Sequence, residues 1–366
     1  MSQDARSRCD LDLTFPFHHE THPADRLERV AAWMREQGLG SEAYLTGPSV
    51  ERLEVRIAEL LGKPAAVWFP TGTMAQGVAA RLHCQAGGDK RLALHPTSHL
   101  ALHEEDAHVH LHGLETLPIG AWSRTVQATD LPEAAGCAFI ELPQRHKGGA
   151  LPDWDELTAI KADAARRGIP LHMDGARIWA LPEAWPGHDW PEICDGFASV
   201  YVSFYKDLGA SGGAVLAGET AFIDQARLWL ARMGGRLVSA WPMVPDALYA
   251  LEHRLPKLPQ FVERARRIAA DVGRCPGLTI TPDPPRVNMM HVRLDCDVAT
   301  AEAARDAAAE ATGVWLGNRF WHFDADPVPA LEIAIGERAL AADPARIAAA
   351  IREMSAFLQR GQSTSA

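Results

Sequence analysis

The sequence predicts an α/β protein with a large domain on a mostly parallel sheet between helices and a smaller α+β domain at its C-terminal end. Three observations predict it. Short apolar runs ending in polar or glycine-rich turns alternate with segments of helical apolar spacing through the first two thirds of the chain. The length of 366 residues, 47% of them hydrophobic, is ample for one large core and a second, smaller one. After about Ala250 the character changes to long, partly Ala-rich helices flanking separate strands. The expected divisions are a segment 1–40 packing near the small domain, a large domain 41–250 and a small domain 251–366.

The large domain opens with Val50, Leu53, Ile57, Leu60 and Leu61 at helical spacing, and Gly62 stops that helix. Ala65 to Phe69 reads as a strand, followed by Pro70-Thr71-Gly72-Thr73 and a small-residue helix from Met74 to about Cys84. A helix from Asp153 to Arg167 ends at Gly168, and Ile169 to Met173 is a buried strand. Gly196 to Ser203 and Gly213 to Ala217 are further strands. In the small domain, helices near Pro256–Val272 and Ala301–Thr312 flank strands at Asn288–Leu294 and Leu331–Ile335, with Thr300 as an N-cap and Gly313 as a stop. In such a fold the chemistry sits at the C-terminal ends of the strands.

Charge and cysteine usage narrow the class. The formal net charge is −11 without any run of Lys or Arg, which argues against nucleic acid and anionic membranes as partners. No stretch of 18 apolar residues exists, and Met1 to Asp10 lacks the apolar centre of a signal peptide. Six cysteines lie far apart with no CxxC pair, as expected of thiols in a reducing cytosol. A cytoplasmic location is expected.

Three local features carry chemistry, each with an ordinary reading beside it. Thr71-Gly72-Thr73 joins a strand to a helix, where unpaired N–H groups suit a phosphate; most such turns are simple helix caps. His172-Met173-Asp174-Gly175-Ala176-Arg177 puts a carboxylate at the sheet edge, where it can pair with a protonated pyridine nitrogen or merely cap a helix. Ser203-Phe204-Tyr205-Lys206-Asp207-Leu208-Gly209 presents a lysine at a strand end, able to form an imine or to be simply solvated. Lys206 follows Asp174 by 32 residues.

Phosphate turn, strand-end acid and strand-end lysine, in that order, resemble the fold-type I pyridoxal-phosphate (PLP) enzymes. Within them, the chain resembles the low-specificity L-threonine aldolases and the wider β-eliminating lyase group. The matching segments are Tyr44 to Val50, Pro70 to Thr73, Ser98-His99, His172 to Arg177, Lys206 to Gly209, Val215 to Gly218 and Gly234-Gly235-Arg236. The resemblance implies a seven-stranded sheet and PLP held by Lys206, with Asp174 on the pyridine nitrogen and Arg177 facing the ring oxygen or the substrate carboxylate. It further implies that Gly72, Thr73 and Ser203 hold phosphate, helped by Arg236 of a neighbouring subunit, and that His99 stacks on the ring. Tyr44 joins the substrate side, and a homodimer or homotetramer follows. The implied reaction is Cα–Cβ cleavage of a β-hydroxy-α-amino acid to glycine and an aldehyde. β-Elimination and transamination are the alternatives.

Two positions depart from the family pattern. Gln144 stands where a threonine aldolase carries His, and Gln orients a hydroxyl or water but cannot take a proton. Glu332 stands where an Arg grips the substrate carboxylate, and Arg319, in a longer preceding loop, is the expected substitute. The histidines from His95 to His112 support a competing zinc-hydrolase reading. His99 and His103 share a helix face beside Glu104, and His108, His110 and His112 share a face if that stretch is a strand. A non-catalytic binding protein of the same fold is the third reading, which the Lys206–Asp174 pair argues against. No metal site is expected.

Overall fold

The computed structural model describes residues 2–14, 22–40 and 42–363. The chain forms two compact units. One comprises His22–Gln144 and Leu151–Pro256; the other comprises Met1–Thr21, Arg145–Ala150 and Lys257–Ala366.

The large unit is built on seven strands: β1 (Ala65–Phe69), β2 (Arg91–Leu94), β3 (Glu115–Pro118), β4 (Cys137–Glu141), β5 (Leu171–Gly175), β6 (Ser199–Ser203) and β7 (Ala214–Gly218). Their order is β1-β7-β6-β5-β4-β2-β3. Only β7 runs against its neighbours, β1 and β6; every other pairing is parallel. The strands β4 to β7 are buried along their whole length, which accounts for their unbroken apolar runs. Helix α1 (Pro48–Leu61) has Pro at its first turn and ends at left-handed Gly62, a stop available at little cost only to glycine. Helix α2 (Gly72–Gly87) starts directly after β1 and lays Ala75, Val78 and Ala79 against Tyr201, Leu216 and Phe139 of the sheet. Helices α3 (Trp154–Arg167) and α4 (Thr220–Arg232) complete the expected alternation.

The helix Pro23–Glu36 belongs to this unit, a correction to the expectation that residues 1–40 go with the small domain. Trp33 meets Tyr249 edge-on at 5.8 Å between ring centroids, and Arg26 pairs with buried Asp246 at 2.8 Å. Those long-range contacts, invisible in a local pattern, decide the assignment.

The small unit carries helices α5 (Leu258–Val272), α6 (Val298–Thr312) and α7 (Pro344–Ser363). Its antiparallel sheet joins β8 (Leu278–Thr281), β9 (Met289–Leu294), β10 (Phe320–Phe323) and β11 (Asp326–Ala334) in the order β10-β11-β9-β8. Leu11–Asp12 pairs in parallel with Val314–Trp315, so residues ahead of Thr14 do belong here. Phe261, Val262, Ala265 and Ile268 of α5 are wholly buried. Truncating Phe261 to Ala costs about 3–5 kcal/mol on that basis. Two local readings change. Asp297, not Thr300, caps α6, because its side chain accepts the Thr300 amide at 2.7 Å. The stretch before Leu331 is the hairpin β10–β11 rather than a loop, since Phe320 and Trp321 pair with Leu331 and Ala330.

Candidate active site

Asp174 is the penultimate residue of β5 and is 3% exposed. Its Oδ1 accepts the Ala176 amide at 3.1 Å, so the turn after the strand fixes the carboxylate. Parallel register sets Glu141 of β4 on one side of Asp174 and Tyr201 of β6 on the other. In-register neighbours point to the same face, the face that α2 covers. Arg177 lies two residues past the end of β5, with Nε 3.9 Å from Oδ1 of buried Asp207.

Lys206 stands just past the end of β6 and is half-buried, with Nζ 5.6 Å from the Tyr205 ring centroid. Among the described residues its amine makes no ion pair, the condition an imine-forming lysine needs. Ser203 ends β6 and is wholly buried. Strand β5 and strand β6 thus deliver Asp174 and Lys206 to one edge of the sheet, as their spacing predicts.

The turn into α2 presents backbone amides at a helix N-terminus. Thr71 is the N-cap, and its hydroxyl accepts the Met74 amide at 3.2 Å. The amides of Gly72 and Thr73 ahead of it lie at the positive end of a 16-residue helix. Gly72 has a second reason to be glycine. A Cβ there would stand 2.0 Å from the Tyr201 phenol oxygen, so only a hydrogen fits. Tyr201 itself was not predicted as a site residue. Burial pushes its phenol well up, with Tyr205 and Asp174 nearby adding to the effect, so it stays a neutral hydroxyl. The available signal was the alternation Ser199, Tyr201, Ser203 on one face of β6.

His99 opens a one-turn helix, His99–His103, and its Nδ1 is 2.9 Å from Oε1 of buried Glu104. Gln144 is 1% exposed, and its Oε1 has no hydrogen-bond partner among the described residues. Arg236 donates to the Tyr44 carbonyl at 3.2 Å and lies 5.8 Å from that ring. Tyr44 is 53% exposed.

In the small unit, Arg319 stacks 4.5 Å over Trp321. Glu332 is held in a two-pronged pair by Arg145, at 2.6 and 3.1 Å, with the guanidinium 4.9 Å from Trp321. The carboxylate that stands in place of the expected arginine therefore has its own counter-charge. Arg145 escaped the sequence reading because nothing local links it to residue 332.

The zinc reading loses its geometry. His108 and His110 lie on a short helix rather than a strand, and His108 bonds Thr116 at 2.6 Å. His112 packs over Gly77, with Nε2 2.6 Å from where a Cβ there would be. Among the described residues no three His, Cys, Asp or Glu side chains could hold a metal ion.

The β-eliminating lyase family model matches residues 24–296, most of the chain. The chain belongs to the β-eliminating lyase family. Its curated relatives include low-specificity L-threonine aldolase 1 of Arabidopsis thaliana, 27% identical over 70% of this chain and 75% of that one. The low-specificity L-threonine aldolase of Escherichia coli is 28% identical over 64% and 74%. A Listeria monocytogenes structure named as a candidate L-allo-threonine aldolase superposes with a TM-score of 0.88 at 32% identity, covering 97% of this chain and 98% of that one. A more distant serine palmitoyltransferase, solved with PLP, shares the fold at 17% identity and a TM-score of 0.70. This β-eliminating lyase is an α/β enzyme of fold type I, a class that works with PLP. The residues present fit that cofactor: an unpaired amine, a buried carboxylate on the same sheet edge, and an anion turn whose glycine leaves no room for a side chain.

Proposed function

We propose that this lyase holds PLP on Lys206 and cleaves the Cα–Cβ bond of a threonine-like β-hydroxy-α-amino acid, giving glycine and an aldehyde. The observation that carries the reading is the delivery of Asp174 and Lys206 to one sheet edge beside the α2 anion turn. When bound, PLP supplies an electron sink for the pair left at Cα. Asp174, buried and pinned by the Ala176 amide, keeps the proton on the pyridine nitrogen. Gly72, Thr73 and Ser203 take the phosphate at the helix N-terminus, and His99 covers the ring. Arg177 binds the substrate carboxylate through its planar fork, with Asp207 steadying it from 3.9 Å. Gln144 orients the β-hydroxyl without taking its proton.

We infer a homo-oligomer as well. Tyr44, Val238 and Trp241 are 53%, 67% and 54% exposed, and the Tyr44 amide donates to the Val238 carbonyl. Clustered exposed apolar side chains of this kind favour a partner surface, and Arg236 lies among them for use in a neighbouring site. The described residues contain no helix long and apolar enough to cross a membrane. All six cysteines are free thiols, consistent with the cytosolic location we infer.

Borohydride reduction followed by peptide mass spectrometry tests the cofactor assignment: the phosphopyridoxyl group should sit on Lys206. A label on another lysine sinks the reading. Screening β-hydroxy amino acids for aldehyde, pyruvate and keto-acid products then tests the reaction. Pyruvate without aldehyde would assign elimination in its place, and a keto acid would assign transamination.

A further inference from the structure

Lys206 stands on a stretch that belongs to no helix or strand. Residues 204–213 join β6 to β7 and include Gly209, Gly212 and Gly213, which leave an unsupported backbone many conformations. An amine that must meet one atom of a cofactor along one direction needs that backbone fixed. Part of the fixing is internal. The Gly209 amide donates to the Lys206 carbonyl at 2.9 Å, and the Ala210 amide donates to the Phe204 carbonyl at 2.7 Å.

The rest comes from two helices of the large unit. Arg254 follows the helix Met243–His253 and is buried; its Nη1 donates to the Leu208 and Gly209 carbonyls at 3.0 and 3.1 Å. Arg26, on the helix Pro23–Glu36, donates from Nη2 to the same Gly209 carbonyl. Arg26 also meets Oδ1 of Asp246, from Nε at 3.1 Å and from Nη2 at 2.8 Å. Oδ2 of Asp246 accepts the Ser211 amide at 2.6 Å. Asp246 is buried, and a carboxylate is costly to bury unless it is paired and hydrogen-bonded. A pair that only docked the helix Pro23–Glu36 would not place its second carboxylate oxygen and its Nη2 on the lysine loop. Here both are used there, on either side of Ala210.

We propose that Arg26 and Asp246 are positioning residues that set the loop carrying Lys206, and with it the place of the Lys206 amine. The inference rests on the reading that Lys206 holds PLP. Neither side chain acts on the cofactor directly. The link runs from Arg26 to the Gly209 carbonyl, and from the Gly209 amide back to the Lys206 carbonyl. The helix Pro23–Glu36, which lies outside the sheet, thereby takes part in attaching the cofactor. Arg suits the task because its planar fork reaches a carboxylate and a carbonyl at once, which a single ammonium does not reproduce.

The test strips PLP from the wild type and from Arg26→Lys, adds it back, and follows the rate of attachment. The absorption band gives the rate, and mass spectrometry after borohydride gives the lysine. Arg26→Lys keeps a positive charge beside Asp246, so its melting temperature should stay close to that of the wild type. Its attachment rate should fall on the order of 10- to 100-fold, and Arg26→Ala should be slowed at least as much. Attachment at the wild-type rate in both variants overturns the proposal, whatever their melting temperatures, and leaves the pair a dock for the helix. Hydrogen exchange in the wild-type holoenzyme needs no variant to fold. The amide of exposed Ser211 should exchange at least on the order of 100-fold more slowly than an unstructured amide. Exchange at the unstructured rate overturns the proposal. If PLP settles on another lysine of the wild type, the cofactor reading has failed and this proposal falls with it. Normal labelling of Lys206 with unaffected variants sinks the proposal alone.

Discussion

In the large unit, Asp174 and Lys206 sit at or just past a strand end; in the small unit, Glu332 is met from far along the chain. Asp174 is one residue from the end of β5, and Lys206 follows the end of β6 by three. Glu332 lies inside β11 and is met by Arg145, 187 residues earlier in the chain. The first arrangement is written into short stretches of sequence: an apolar run, then a polar residue that cannot continue it. The second depends on a segment, Arg145–Ala150, that leaves its sequence neighbours to join the other unit. Strand-end chemistry is therefore local information, and paired charges are not.

The comparison has consequences of different size. The largest lies at the strand end: Asp174→Asn should keep PLP but lose on the order of 100-fold in kcat, ~3 kcal/mol in the barrier. Steady-state kinetics on the cofactor-loaded variant checks it, and near-normal turnover would reduce Asp174 to a turn residue.

A second effect, on stability rather than turnover, lies deeper on the same sheet face. His83 and His172 both bond the Ser199 hydroxyl at 2.7 Å, and burial lowers His83 to about 4 and His172 well below its usual range. Both are neutral in the folded chain, while the unfolded chain takes protons from about pH 6.5 downward. Stability is thus fully present above pH 6.5 and falls between pH 6.5 and 4. His83 alone accounts for about 3 kcal/mol of that loss. Urea midpoints at pH 7 and pH 4.5 measure the fall, and His83→Phe should flatten it. An equal slope in that variant would locate the acid sensitivity elsewhere.

The smallest effect belongs to the small unit. Glu332→Gln should weaken the Arg145 pair and cost about 1–2 kcal/mol of stability, because the pair is two-pronged and only partly exposed. A melting temperature unchanged within error would mean that the pair is replaceable by solvent. Either outcome sharpens the contrast, since the strand-end variant is read in turnover and this one in stability.

Legibility followed the same divide. β1 was read at its observed limits, Ala65–Phe69, and β5 and β6 to within a few residues, because buried parallel strands are unbroken apolar runs. The turn of Thr71 to Thr73 was legible for the same reason. Tyr201 was not, since a tyrosine inside such a run reads as core until the packing shows its hydroxyl against Gly72. The stretch Gly317 to Pro329 reads as a loop because Arg319, His322 and Asp324 break its apolar pattern, and register alone shows β10 and the start of β11 there. Asp297 was passed over as a cap because Thr300 is also a good N-cap residue.

The close fit of Gly72 and Tyr201 constrains the order in which this site can change. A methyl at position 72 would stand 2.0 Å from the phenol oxygen and 2.6 Å from the ring carbon bearing it. Removing the hydroxyl alone, as in Tyr201→Phe, leaves the second clash in place. Any route to a side chain at 72 must first pass through a residue smaller than an aromatic ring at 201, which opens a cavity under the anion turn. Directed evolution that samples one position at a time will find residue 72 immovable, whereas a library varying both together can reach variants that no single step does.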